Sequence, residues 1–450
     1  MERRGISVAD ICPFRGIRYN QRLITDLSRV ICAPSDIITT KMQRDLYRQS
    51  EYNFVRLDAS LRSASDKSED SRWQRAAATL EDWLDKGILQ IDEVPAIYLH
   101  DYYFTYLGKE CMRRSIIALV RLEEWDRMIV RRHEKILPEL YKTRLSQVRM
   151  MKADTSPLLA FFEDQGGRAS SLLSTAKLGR PIIKINLRSN ADSRHIIWAI
   201  TEPNLIGQMC DSLAEKPLYI ADGHHRYGGA LALWAERYAS CPSMSRDDPF
   251  SFVMMELFSA SDPCLIVRAF HRLVRGIPEP VLGGLLTELM AFFEVEEWLL
   301  DKSDIWQKVD VLLTNIDPDK PDEVVMVLFG LASDRLFVLR VNDFAATSRA
   351  MPGSQSEVYK RFAVSIADQI IIRKLLQITG SKREKQLAFS LDRRDAVQKV
   401  SGGRYQLALL LQAARPEQII SIADAGETMP EKSTRFYPKP PTGFVFYRMV

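Results

Sequence analysis

One stretch constrains this chain more than any other: Leu218-Tyr-Ile-Ala-Asp222-Gly223-His224-His225-Arg226-Tyr227-Gly-Gly-Ala-Leu231. Leu218 to Ala221 reads as a short buried strand, and Tyr227 to Tyr238 as a helix. A strand that turns sharply on a glycine into a helix aims backbone N–H groups at the turn, and the helix dipole adds partial positive charge. Such a turn is a site for an anion, phosphate in particular. The residue types suit that use. Arg226 offers a fork for phosphate oxygens, a histidine adds a donor, and Asp222 would bind Mg²⁺ or orient a hydroxyl. The same residues also read as a plain helix start, with Asp222 as N-cap and the histidines polar at a surface. Adjacent histidines do not share a helix face, so this stretch alone cannot form an i, i+4 zinc pair.

The 450 residues leave room for two or three domains. A balance of 62 basic against 58 acidic residues is too mild to imply nucleic-acid or membrane binding for the whole molecule. Cysteines at 12, 32, 111, 210, 241 and 264 contain no Cys-x-x-Cys pair, and such scattered thiols suit a reducing cytosol. The first seven residues lack the apolar core of a signal peptide, and no apolar run reaches the roughly 18 residues of a membrane span. A cytoplasmic protein is expected.

Short strands and helices mix without strict alternation, which predicts an α+β protein with mixed sheets and flanking helices. Val30–Asp36 and Asn53–Leu57 read as strands, Lys41–Gln49 as a helix and Ser60–Ser71 as a polar loop. Arg72–Lys86 has helical spacing of Trp73, Ala76, Leu80 and Trp83, with Gly87 placed to stop it. Ala96–Leu107 and Ser115–Leu122 form an expected hairpin. Arg194–Glu215 and Pro280–Trp298 read as largely helical. The Ser-, Pro- and Asp-rich run 239–249 is the expected boundary between a domain over 1–240 and a second α+β domain over 250–450 with a Pro-rich closing tail.

Three further segments carry possible chemistry. Arg127 to Lys152 holds eight Lys/Arg and two Glu, a local surplus that would attract an anionic ligand. Within it, Arg131-Arg132-His133-Glu134-Lys135 flanks Glu134 with cations, which suits a metal ligand or a base; it equally suits a solvated basic face. Phe270-His271-Arg272 repeats the His-Arg pairing after an apolar strand. Lys432-Ser433-Thr434-Arg-Phe-Tyr-Pro-Lys439 sets hydroxyls beside cations, as a phosphate site or as a strap held by its aromatics. No Gly-x-x-x-x-Gly-Lys-Ser/Thr, Gly-x-Gly-x-x-Gly or Gly-x-Ser-x-Gly occurs.

Pro13-Phe-Arg-Gly-Ile-Arg-Tyr19, Ala33-Pro-Ser-Asp36, Asn53-Phe-Val-Arg-Leu57, Arg132-His-Glu134, Ile220 to Tyr227, His271-Arg-Leu-Val274 and Met429 to Lys439 stand in the order of a large prokaryotic family. The chain thereby resembles the domain-of-unknown-function family 1015, some members of which are labelled ParB-like. It departs from that family's pattern at Ala33, Ser35, Ile136 and Thr143. Asp222 to Tyr227 also resembles the phosphate-holding turn of the ParB, sulfiredoxin and free-serine-kinase superfamily. That resemblance implies a ParB/sulfiredoxin-like N-terminal part, with Gly223, His225 and Arg226 on phosphate.

The reading that follows is an enzyme that binds a nucleoside phosphate or another phosphorylated small molecule, with Mg²⁺, and transfers or removes a phosphoryl group. An amino-acid kinase is its sharpest form. Asp222, His224, His133 and Glu134 are the candidate catalytic residues, Asp222 and Glu134 also the metal ligands. Gly223, His225, Arg226, Arg132, His271, Arg272, Lys432, Ser433 and Thr434 are the candidate phosphate or nucleotide contacts. Two alternatives stand beside it: a ParB-like nucleotide- or DNA-binding regulator, and a zinc-dependent hydrolase in which His133 or His271 would have to meet His224 and His225.

Overall fold

The computed structural model describes residues 9–63, 66–176, 178–187, 192–301, 303–314 and 323–449. The reading of the first seven residues lies outside them, as do two residues of the Ser60–Ser71 loop. The protein is α+β and forms two compact units: residues 1–132, 136–265 and 438–450 in the first, residues 133–135 and 266–437 in the second.

Among the described residues, nine strands make the sheet of the first unit. They are β1 (Ile11–Cys12), β2 (Ile97–Tyr106), β3 (Lys109–Arg121), β4 (Val130–Arg131), β5 (Leu158–Phe162), β6 (Ile183–Leu187), β7 (Ser193–Ile200), β8 (Leu218–Asp222) and β9 (Phe252–Ser259). Their order is β4-β8-β5-β9-β3-β2-β7-β6, with β1 on β3. The β8–β4 and β9–β5 pairs are parallel and the others antiparallel.

Five helices matter to the site: α1 (Glu69–Asp85), α2 (Pro138–Met151), α3 (Arg168–Thr175), α4 (Pro203–Ala214) and α5 (His224–Ser240). Strand side chains alternate between faces, so the sheet needs two covers. Leu99, Ile116, Leu158, Ile220 and Leu257 pack with Leu173 of α3 and Met209 and Leu213 of α4. Tyr98, Ile117 and Met254 of the other face pack with Trp73, Leu80 and Trp83 of α1, Val148 of α2, and Phe444 and Phe446 near the chain's end. Each buried indole of α1 is worth roughly 3 kcal/mol.

The second unit has a six-stranded antiparallel sheet of β10 (His271–Val274), β11 (Phe293–Leu299), β12 (Val325–Phe329), β13 (Arg335–Val341), β14 (Leu387–Ser390) and β15 (Leu407–Leu411), in the order β11-β13-β12-β15-β10-β14. Leu273, Val309, Val327, Val338 and Leu410 build its core. A π-helical stretch, Ala367–Leu375, buries Asp368 between Arg373 and Arg383 at 2.8 and 2.7 Å.

Several expectations need correction. Arg194–Ile200 is strand β7, and helix begins only at Pro203; the alternation of His195 and Ile197 against Ile196 and Trp198 outweighs helical spacing. Val55–Asp58 is a helical turn, because Asn53 Oδ1 caps the Val55 N–H at 3.1 Å. Val30–Asp36 contributes one isolated bridge at Cys32 and otherwise no strand. Pro280–Trp298 divides into helix Glu279–Met290 and strand β11, whose Phe-Glu-Val-Glu-Glu-Trp-Leu alternates. The run 239–249 lies inside the first unit, since it leads straight into β9, a central strand of that unit's sheet.

Candidate functional site

β8 ends at Asp222, and Gly223 makes the turn at φ +102°, ψ 20°. L side chains rarely adopt that φ, and a Cβ there would also lie 3.0 Å from both Arg226 Nη2 and Leu158 Cγ. The 17-residue helix α5 begins at the next residue. Its first turn is locked by Tyr227, whose hydroxyl donates to Glu123 O at 2.7 Å and accepts from Glu123 N–H at 2.9 Å. A Cβ on Gly229 would lie 3.1 Å from Leu145 N, so this glycine lets α2 approach closely and brings Arg144 to the turn.

Around Asp222 the chain gathers charges from far apart in sequence. Lys439, only 8% exposed, donates to Asp36 Oδ2 at 2.6 Å and also to Asp222 Oδ1. Arg226 Nη2 reaches Asp222 Oδ2 at 3.4 Å. Its Nη1 donates to Ser156 O, Ser156 Oγ and Pro157 O at 2.8, 2.9 and 3.0 Å. Arg226 therefore braces the loop before β5 against the turn. Arg144 donates to Gln147 Oε1 at 2.7 Å and to Ser35 Oγ at 3.2 Å.

Arg144, Arg226, Asp154, Thr155 and Ser156 line a cavity of about 20 Å³, room for about one water. Burial and the neighbouring Arg226 push the Arg144 guanidinium below its ordinary value. Burial lifts Asp154 to about 6, against the Met254 N–H and Arg226, which pull it down. Asp58 beneath them accepts from Thr155 Oγ1 at 2.7 Å.

The remaining first-unit candidates are placed as follows. His225 Nε2 accepts the Leu137 N–H at 3.0 Å, which puts the ring proton on Nδ1 and ties the turn to the start of α2. His224 is buried. Arg132 lies with its guanidinium 4.8 Å from the Trp125 ring, and burial lowers its pKa.

The second unit holds the other candidates. His133 is fully buried; its Nε2 meets Thr434 Oγ1 at 2.9 Å and its carbonyl accepts the Met429 N–H at 2.8 Å. Ser433 Oγ donates to Pro430 O at 2.5 Å, and Lys432 lies 5.7 Å from the Phe270 ring. Arg272, 1% exposed, donates to Phe270 O and to Glu431 O, the latter at 3.2 Å. His271 Nδ1 accepts the Leu411 N–H at 3.2 Å. Burial and nearby arginines hold His271 down at about 4, and burial lowers Arg272 to about 10. Glu134 is half-buried in the short segment that precedes Lys135. Among them His133 and Arg272 fasten the 429–434 loop, through Thr434 Oγ1, the Met429 N–H and Glu431 O.

A zinc centre needs three or four protein donors. Among the described residues no three His, Cys, Asp or Glu side chains gather closely enough to hold a metal. Among the same residues no helix is long and apolar enough to cross a membrane.

Lys439 and Asp36 enter the sequence reading only as ends of longer segments, and Arg144 only within the basic run 127–152. Lys439 stands 217 residues from Asp222, and its one visible signal is a cation set among Pro438, Pro440 and Pro441. Sequence reasoning passed over a buried polar chain through Glu256, although a single acid within Phe252-Val-Met-Met-Glu256-Leu-Phe258 is a legible sign of one.

The family model described as a protein of unknown function (DUF1015) matches residues 11–361, and the chain belongs to that family. No curated protein matches it. Among solved structures it is similar to a free serine kinase in complex with AMP, with 14% identity and a TM-score of 0.33 over 72% of this chain and 86% of that one. It is also similar to a conserved hypothetical protein from Pyrococcus furiosus (14%, 0.34, 74% and 95%). A third is SbnI from Staphylococcus aureus with a C-terminal truncation (12%, 0.33, 71% and 82%). At these TM-scores the likeness bears on neither fold nor function, which rest on this chain's own geometry.

Proposed function

We propose that the turn between β8 and α5 binds the phosphate of a nucleotide or another phosphorylated small molecule, and that the protein transfers or removes a phosphoryl group there. The observation that carries this reading is Lys439. A nearly buried ammonium comes from the far end of the chain to the start of a long helix, where it sits between two carboxylates, Asp36 and Asp222. A phosphate at the helix start gains from the dipole and from an ammonium that can turn from carboxylate to phosphate oxygen. Lys439 then offsets the charge that grows on the phosphoryl oxygens, the main demand of such chemistry. As an acceptor hydroxyl attacks phosphorus, Asp222 takes its proton and the leaving oxygen departs.

The donor set suits Mg²⁺. Asp36 and Asp222 already converge on one cation, and Mg²⁺ bound with a nucleotide asks for one or two carboxylates, phosphates and water. When bound, Mg²⁺ would draw charge from the phosphate oxygens. Arg144 and Arg226 hold the floor of the site. The reading uses residues of the first unit alone.

A thermal-shift screen of nucleoside mono-, di- and triphosphates and pyrophosphate, with and without Mg²⁺, tests it. A ligand at about 100 times its dissociation constant adds roughly 2.7 kcal/mol. At least one compound is expected to raise the melting temperature. No shift from any of them at millimolar concentration contradicts the reading.

A further inference from the structure

The first unit contains a second set of ionisable side chains, all buried and none of them used above. Glu256 on β9, His100 on β2, His195 on β7 and Arg113 on β3 are each 0–1% exposed. Glu256, His100 and His195 form a continuous hydrogen-bonded chain with Ser115 and Ser193, and Arg113 acts on it through its charge. Ser115 Oγ donates to Glu256 Oε1 at 2.6 Å, and His100 Nδ1 lies 3.0 Å from the same oxygen. His100 Nε2 lies 3.0 Å from His195 Nδ1, and His195 Nε2 lies 3.0 Å from Ser193 Oγ.

With Glu256 ionised and both imidazoles neutral, one set of protons satisfies every link. His100 donates from Nδ1 to Glu256, His195 donates from Nδ1 to His100 Nε2, and Ser193 donates to His195 Nε2. The chain runs from Ser193, half-buried at the strand end, into the centre of the sheet.

Arg113, whose charge acts on Glu256 at the inner end, is tied to the tail. Arg113 Nη2 donates to Pro438 O at 3.0 Å, one residue before Lys439. Phe444 lies 4.9 Å from the His195 ring and 5.7 Å from that of His100. Among the described residues Arg113 Nε and Nη1 and Glu256 Oε2 have no hydrogen-bond partner. Arg113 otherwise faces the Tyr102 and Phe258 rings, at 5.5 and 5.1 Å. The negative charges that act on it are Glu256 and, after β9, Asp262. Register also links the two sites. Asp222 pairs with Leu159 and Leu159 with Glu256, so both acids lie in one row on one sheet face, about 10 Å apart by strand spacing.

We propose that this buried chain is a positioning device for Lys439, and that it holds the tail only while Glu256 carries its negative charge. Proton uptake releases it. A proton from solvent binds His195 Nε2; the Nδ1 proton of His195 passes to His100 Nε2; the Nδ1 proton of His100 passes to Glu256 Oε1. One proton has entered, both imidazoles remain neutral in the opposite tautomer, and Glu256 is a carboxylic acid. Arg113 is then a buried cation that has lost the counter-charge of Glu256 and keeps that of Asp262, and it reaches water by letting go of Pro438.

The direction of the pH effect follows. Burial and the neighbours His100 and Arg113 hold His195 well below the ordinary value of 6.5. Burial raises Glu256, but His100, Arg113 and Ser115 outweigh it and leave the acid below its ordinary 4.5. Both groups resist protonation in the folded protein, and the charge lost in the relay is that of Glu256, so the hold is complete at neutral pH and weakens as pH falls below the ordinary 4.5 of a glutamate.

Hydrogen exchange of the tail amides from Thr442 to Met449 in the full chain, corrected for intrinsic rates, reads the latch. Wild-type tail exchange should be at least about tenfold faster at pH 3.5 than at pH 7.5, while the amides of β3 and β9 stay protected. Glu256→Gln should show the fast rate at both pH values. Equal tail protection at the two pH values, or wild-type protection in Glu256→Gln, overturns the proposal. Should that variant lose exchange protection in β3 and β9 as well, the tautomers of the wild type decide. ¹⁵N resonances at neutral pH should place the protons of His100 and His195 on Nδ1, and a proton on Nε2 of either contradicts the wire. None of these readouts needs a ligand, so they stand apart from the phosphate site.

Discussion

Two His-Arg pairs in this chain look alike in sequence and do different work. His225-Arg226 follows a glycine turn at the start of a helix, and its arginine remains 23% exposed beside Asp222. His271-Arg272 lies within strand β10, and its arginine is 1% exposed with two main-chain carbonyls as acceptors. Both arginines brace loops. What separates them is the surrounding charge: beside Arg226 stand the partly exposed Asp222 carboxylate and Lys439, which joins it to Asp36, while Arg272 lies in a closed shell of its own unit. A dipeptide does not define a site; the backbone beneath it and the charges brought from elsewhere do.

The largest effect that would break this comparison is on stability. Arg272→Ala strands two buried carbonyls and opens a cavity, and should cost about 3 kcal/mol in denaturant melts that follow the second unit. Phosphate-ligand affinity should stay unchanged; a loss of affinity without a loss of stability would make Arg272 a ligand contact. Gly223→Ala comes next, at about 1–3 kcal/mol, from the φ of +102° and the 3.0 Å approach of Arg226 and Leu158. The cost should fall on the first unit and include weaker ligand binding, and an unchanged melt would show that the turn relaxes freely.

The smallest effect is pH dependence in the second unit. His271 is held at about 4 against an ordinary 6.5. Its unfolded form takes up a proton first, so its contribution is present above pH 6.5 and is lost as pH falls toward 4. Unfolding titrations at pH 7 and 5 should show that loss, and His271→Asn should reduce it.

Much of the fold was legible. The hairpin of β2 and β3, helix α1 with its Trp and Ala spacing, and the strand-turn-helix at Asp222 all follow local pattern. β7 was not, because an apolar seven-residue run fits helix and strand alike until its partners are known. The site divides the same way. Asp222, Gly223 and Arg226 fall within one short strand-turn-helix stretch that is visible in the sequence. Asp36 and Lys439 reach Asp222 only through the fold, and no spacing rule spans 217 or 403 residues. His225, a candidate phosphate contact, and Tyr227 also fasten α5 to its neighbours through their polar atoms.

The most direct measurement is calorimetric titration of wild type and Lys439→Ala, at low salt, with the nucleoside phosphate that gives the largest thermal shift. The predicted result is at least about tenfold weaker binding by Lys439→Ala, roughly 1.4 kcal/mol, with the first unit still folded. Equal affinity in a folded variant would contradict the assignment of the ligand site to Lys439 and Asp222.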